Sequence, residues 1–91
     1  MTINDTKYAA LQTLTSQTEG TINDLELQWL EGLTSSTGTI QGLYDVWLTS
    51  LGYTAGTVKD RLYALMGDQG YTGTLNDRLY QFWAAGGVVV P

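Results

Sequence analysis

The sequence predicts an all-α protein of about five short helices in tandem, and three observations lead there. A threonine followed by an aliphatic residue recurs at Thr2, Thr21, Thr39, Thr57 and Thr74, so the units are 17–19 residues long. Glycine stands immediately before four of these threonines, and aspartate stands three places after four of them. Beyond each threonine, apolar residues return at steps of three and four, the spacing that aligns them on one helix face. Units this short cannot bury an apolar face alone and must lean on their neighbours in a small helical array or bundle.

The first unit, TINDTKYAAL from Thr2, opens with the pair Thr2 and Asp5. Threonine is a good N-cap because its hydroxyl accepts a backbone N–H of the first turn. An aspartate three residues on reaches back to the cap N–H and complements the positive end of the helix dipole. The second half of this unit is threonine-rich and its apolar groups are small, which marks it as a fraying end or a terminal cap. The second unit, TINDLELQWL, repeats the pair as Thr21 and Asp24 and carries Ile22, Leu25, Trp29, Leu30 and Leu33 on one stripe. The third, TIQGLYDVWL, has Thr39 but Gly42 in place of the aspartate, so it has the weakest start.

The fourth unit, TVKDRLYALM, has Thr57 and Asp60 with the stripe Val58, Leu62, Leu65 and Met66. The fifth, TLNDRLYQFW, has Thr74 and Asp77 with Leu75, Leu79, Phe82 and Trp83. Gly52, Gly70 and Gly86 follow the apolar runs and are placed to take the left-handed conformation that ends a helix. The segments between, GLTSSTG, LGYTAG and QGYTG, are turn-forming. Residues 1–85 therefore form the helical repeat domain. Residues 86–91 form an apolar, extended C-terminal tail, since paired glycine releases it and β-branched residues resist continuing a helix.

Composition restricts function. Ninety-one residues without cysteine exclude a disulfide framework and a thiolate metal site. Absence of histidine removes the commonest general base and zinc ligand. A formal charge of −5, with only four cations, gives no positive face for nucleic acid or an anionic membrane. No apolar stretch reaches the roughly 20 residues that span a bilayer. The N-terminus lacks the basic start and apolar run of a signal peptide, so the chain is expected to be soluble and made inside the cell. Charged residues make up only 14% of the chain, which leaves a surface tolerant of burial in an assembly.

The remaining carboxylates, Glu19, Glu26, Glu31, Asp45 and Asp68, are dispersed and read as solvated helix faces or turn residues. The glycine-rich turns lack the lysine and hydroxyl that follow a phosphate loop, and GDQG has too few acids for a calcium loop. No cofactor and no catalytic residue are expected. Trp29, Trp47 and Trp83 stand in the late apolar pair of their units, a core position. Tyr53 and Tyr71 precede the next cap, and two readings stay open: each folds back on the helix ends, or they line an interface edge. The tail residues Val88, Val89, Val90 and Pro91 likewise either fray or fold on the last apolar face, or else form a hook for a partner.

The last unit, GYTGTLNDRLYQFWAAGG, resembles a repeat of tailed-bacteriophage virion proteins, G-(Y/A)-T-G-(T/S)-(L/I)-N-D-x-(L/Y)-x-x-(F/W)-W. The resemblance is close over residues 70–87, good over 52–66, looser over 20–51, and confined to TIND in 1–19. It implies a particle component without enzymatic activity, made in the host cytoplasm and located in the virion. Such a component is present in many copies and held by a larger capsid or tail protein, as a minor capsid or decoration protein or a head–tail or fibre adaptor. The alternative is a soluble helical-repeat module that binds a protein during infection. The motif residues are those already read as caps and core, so the resemblance assigns no functional residue.

Overall fold

A computed structural model describes residues 2–90 of the chain; Pro91, one of the expected hook residues, lies outside them. Five α-helices follow one another: α1 (Ile3–Thr15), α2 (Ile22–Thr34), α3 (Ile40–Ser50), α4 (Val58–Asp68) and α5 (Leu75–Ala84). Among the described residues there is no strand. Each helix begins one residue after its repeated threonine. In every case the threonine hydroxyl accepts the N–H of the residue three places on. Asp5, Asp24, Asp60 and Asp77 return the bond to the cap N–H, completing a reciprocal pair at α1, α2, α4 and α5. At α3 only half of it forms, Gly42 N–H to Thr39 Oγ1 at 3.0 Å.

The same geometry accounts for the preceding glycines. Gly56 and Gly73 have φ of +93° and +102°, and a Cβ there would stand 2.9 and 2.7 Å from the carboxylates of Asp60 and Asp77. Gly38, whose unit has Gly42 in place of the capping aspartate, faces open space. At Gly56 and Gly73 glycine is thus required by the returning carboxylate as well as by backbone conformation, whereas at Gly20 a Cβ would lie an ordinary 3.5 Å from the Asp24 side chain.

Helix ends come in two chemistries. After α3, α4 and α5 the left-handed residue is Gly52, Gly70 or Gly86, as the sequence predicts. Each makes the paired C-terminal bonds of a Schellman motif, for example Gly52 N–H to Thr49 O and Tyr53 N–H to Leu48 O. After α1 and α2 the left-handed residues are Ser16 and Ser35, with φ of +55° and +54°. The sequence reading placed no helix end on these serines, because a side chain in this conformation is uncommon and costs energy.

The array closes on itself. Each helix packs on its sequence neighbours, and α5 returns to α1. The radius of gyration, 12.5 Å, matches the about 12 Å of a globule of this length rather than an open solenoid. α1 is therefore the element that shuts the ring, not a loose end. The eighth and ninth residues after each threonine are buried in all five helices: Ala10 and Leu11, Trp29 and Leu30, Trp47 and Leu48, Leu65 and Met66, Phe82 and Trp83. Trp29 is the aromatic centre, edge-on to Trp47 at 5.3 Å and to Trp83 at 5.0 Å between centroids.

Two polar joints brace this core. Arg78 of α5 stacks on the Tyr63 ring of α4 at 3.7 Å and donates to the Tyr63 carbonyl. Gly67 makes room for it, since a Cβ there would meet the guanidinium at 2.5 Å. The second joint corrects the sequence reading. Glu26 is not a solvated residue but 5% exposed, held by Lys7 Nζ at 2.7 Å and by the Tyr44 hydroxyl. Lys7 also lies over the Trp83 ring at 5.7 Å. A carboxylate survives burial only with such partners. They come from α1 and α3, which no spacing within α2 can announce.

Candidate docking groove

One position of the repeat behaves differently from the core pair. Twelve residues after the threonine stand Leu14, Leu33 and Leu51 in the first three units, and Gln69 and Gly86 in the last two. This position lies one turn beyond the buried pair and on the same face, at the C-terminal end of each helix. The three leucines form the walls of an apolar groove of ≈ 350 Å³, floored by Trp29 and Trp47. Leu33 is 46% exposed and Leu51 is 40% exposed.

The tail supplies the remaining side. Gly87 is buried with φ of +71°, and a Cβ on it would come within 3 Å of both the Trp83 ring and Leu14. Val88 and Val89 line the groove; Val89 packs on the core, while Val88 is 56% exposed. The side-chain amide of Gln69 then holds Val90 on both sides, accepting its N–H at 2.7 Å and donating to its carbonyl at 2.8 Å. Where units four and five lack the leucine, the chain covers its own end. Where units one to three have it, the apolar surface stays open.

Tyr53 and Tyr71 stand apart from this groove. Each follows the helix-ending glycine, the place where a Schellman motif brings an apolar contact back to the last turn. Tyr53 is half-buried against the core and donates to Asp68 at 2.5 Å, which with slight burial raises the phenol above its ordinary pKa. Tyr71 is half-buried and edge-on to Phe82 at 6.5 Å. The capping residues Thr2, Thr21, Thr39, Thr57 and Thr74, with their aspartates, lie at the opposite ends of the helices from the groove leucines. The backbone N–H of Thr2 and its hydroxyl hold the Asp5 carboxylate below the usual aspartate range.

A second furrow, ≈ 320 Å³, adjoins the first across Leu14, Trp29 and Leu33, and continues along α2 past Gln28 and Gly32. Gly32 is helical, and a Cβ on it would meet nothing within 4 Å. Among the described residues there is no group of three or more acidic side chains placed to hold a metal ion, and no helix is long and apolar enough to cross a membrane. What the groove offers chemically is apolar contact area shaped by two indole rings and three leucines. No family of known proteins, no curated protein and no solved structure matches the chain.

Proposed function

We propose that this chain is a non-enzymatic structural component of a tailed-bacteriophage particle, a minor capsid or decoration protein or a head–tail or fibre adaptor. It docks onto a larger virion protein through the groove walled by Leu14, Leu33 and Leu51. The observation that carries this reading is the open sector of the ring. Three large side chains at equivalent positions stay partly exposed over a tryptophan floor, beside a tail that covers the other sector. Partly exposed leucines contiguous over one surface mark an interaction site rather than scattered surface residues. The resemblance of residues 70–87 to virion repeats and the lack of histidine and cysteine support the same reading.

Mass spectrometry of purified particles tests it. The chain is expected in the particle at a fixed ratio to the capsid or tail protein, and Leu33→Asp is expected to reduce that ratio at least tenfold without loss of helical content. A chain found only in the soluble fraction of infected cells makes it a free protein-binding module instead.

A further inference from the structure

The tail makes a ridge beside the groove, and the ridge is held in place. Val88 is exposed although both its neighbours are anchored, Gly87 against Trp83 and Leu14, and Val89 against the core. The Gln69 amide fixes Val90 from both sides, so the ridge is ordered before anything touches it. One surface therefore carries a projecting apolar side chain and, next to it, the apolar hollow walled by Leu14, Leu33 and Leu51. A twofold contact between identical copies needs both on one patch, since each copy must give the other what it takes.

Charge and polarity leave such a contact unopposed. No charged side chain lines the groove or the furrow beside it, so two copies of net charge −5 can meet over neutral surface. The hydroxyls next to the groove leucines are already used: Thr15, Thr34 and Ser50 each donate to a carbonyl of their own helix. Covering them strands no donor. Leu33, Leu51, Val88 and the adjoining Val90 are between 40% and 65% exposed, roughly 350 Å² of apolar surface per copy. A standard interface buries about 800 Å² per partner, a little over half of it apolar. The patch supplies most of that apolar share and the uncharged rim adds to it, which places the contact at the small, weak end of stable interfaces.

We infer that in the free protein the groove is covered by a second copy of this chain, in a twofold pair where the Val88 ridge of each copy enters the groove of the other. The pair goes beyond the docking reading above, because it gives the same surface an earlier occupant. That occupant is held weakly enough for a larger protein to displace it, and only this displacement rests on the docking reading.

Sedimentation equilibrium of the purified chain, from about 1 μM to about 1 mM, tests this. The mass is expected to rise from one chain to two and stop there, because a twofold contact closes on itself. Emission from Trp29 and Trp47, which floor the groove, should shift to the blue along the same curve. Val88→Asp changes an exposed side chain and is expected to keep the helical signal while weakening association at least tenfold, and Leu33→Asp should do the same. Tyr80→Asp is the control: its hollow, shared with Ile3 and Asn76, has no lining residue in common with the groove, so it should pair like the parent. A single chain at every concentration, a mass that grows past two, a pair that survives both Val88→Asp and Leu33→Asp, or one weakened equally by Tyr80→Asp overturns the inference. Mass spectrometry of the particle answers separately. A chain that stays monomeric but is found in the virion removes the pair and leaves the docking reading, and a chain that pairs but is absent from the virion does the reverse.

Discussion

Tyr44 of α3 donates its phenolic hydrogen to Glu26 of α2, and the same carboxylate receives the Lys7 ammonium from α1. Three consecutive units are thereby joined through one buried acid. Burial first, and the Glu26 charge second, raise the Tyr44 phenol far above its ordinary value of about 10. A group whose folded pKa is raised contributes stability that is complete below its unfolded pKa and is lost as pH climbs toward the folded one. Stability should therefore fall steadily above about pH 10. Tyr44→Phe should cost about 1.5–3 kcal/mol at pH 7, the range for a hydrogen bond to a charged group, and flatten the alkaline slope. Urea unfolding at pH 7 and pH 11 checks both. An unchanged midpoint at pH 7 means the bond is not made.

Gly42 leaves the α3 cap half-finished, which gives a prediction of gain. Gly42→Asp should let the carboxylate return to the Thr39 N–H, as its counterparts do at the other four starts. The substitution also replaces glycine inside a helix. Together these should stabilise the protein by about 1 kcal/mol. The new Cβ lies 3.1 Å from Thr39 Oγ1, so the cap oxygen must give way by a few tenths of an ångström while keeping its bond to the residue 42 N–H. Thermal melts of the two proteins decide it, and a lower melting temperature for the variant would show that α3 starts under a constraint the other helices lack.

The caps were legible because they are local. A threonine and an aspartate three residues apart state their own geometry, and so do Gly52, Gly70 and Gly86. The buried pair was legible for the same reason, since helical spacing fixes which residues share a face. What escaped was whatever depends on how helices meet. Glu26 looks like any surface glutamate until α1 and α3 bring Lys7 and Tyr44 to it. The groove was hidden differently. Its leucines occur at one repeat position in units one to three, and aligning the units one turn past the core pair would have found them. The closed ring, which leaves those leucines side by side, has no signature in a single unit.

Ser16 and Ser35 hold left-handed backbone that glycine holds at the other three helix ends. Ser16→Gly and Ser35→Gly should each stabilise by about 0.5–1 kcal/mol, the relief of strain exceeding the added freedom of the unfolded chain. Gly70→Ala should do the opposite. Its φ is +93° with no neighbour within 4 Å of a Cβ, so the cost of about 1–2 kcal/mol is conformational alone. Denaturant midpoints for the three variants should therefore move in opposite directions, and a shared direction rules this account out.

Trp83 and the tail test how the ring is held shut. Trp83 is buried between Trp29 and Gly87, under Lys7, so Trp83→Ala should cost about 3–5 kcal/mol, large against the stability of so small a domain. Removing residues 88–91 is a milder change, and the difference is physical. Gly86 and Gly87 donate to the Trp83 and Phe82 carbonyls and finish α5, so they must stay. Beyond them the described tail residues contribute one half-buried valine and the Gln69 clamp on Val90, worth about 1–2 kcal/mol together. The truncated chain should keep its far-ultraviolet helical signal while the emission of Trp29 and Trp47 shifts to the red as one wall of the groove is lost. Loss of the helical signal would mean that Val89 belongs to the core rather than to the groove, and that the ring cannot close without it.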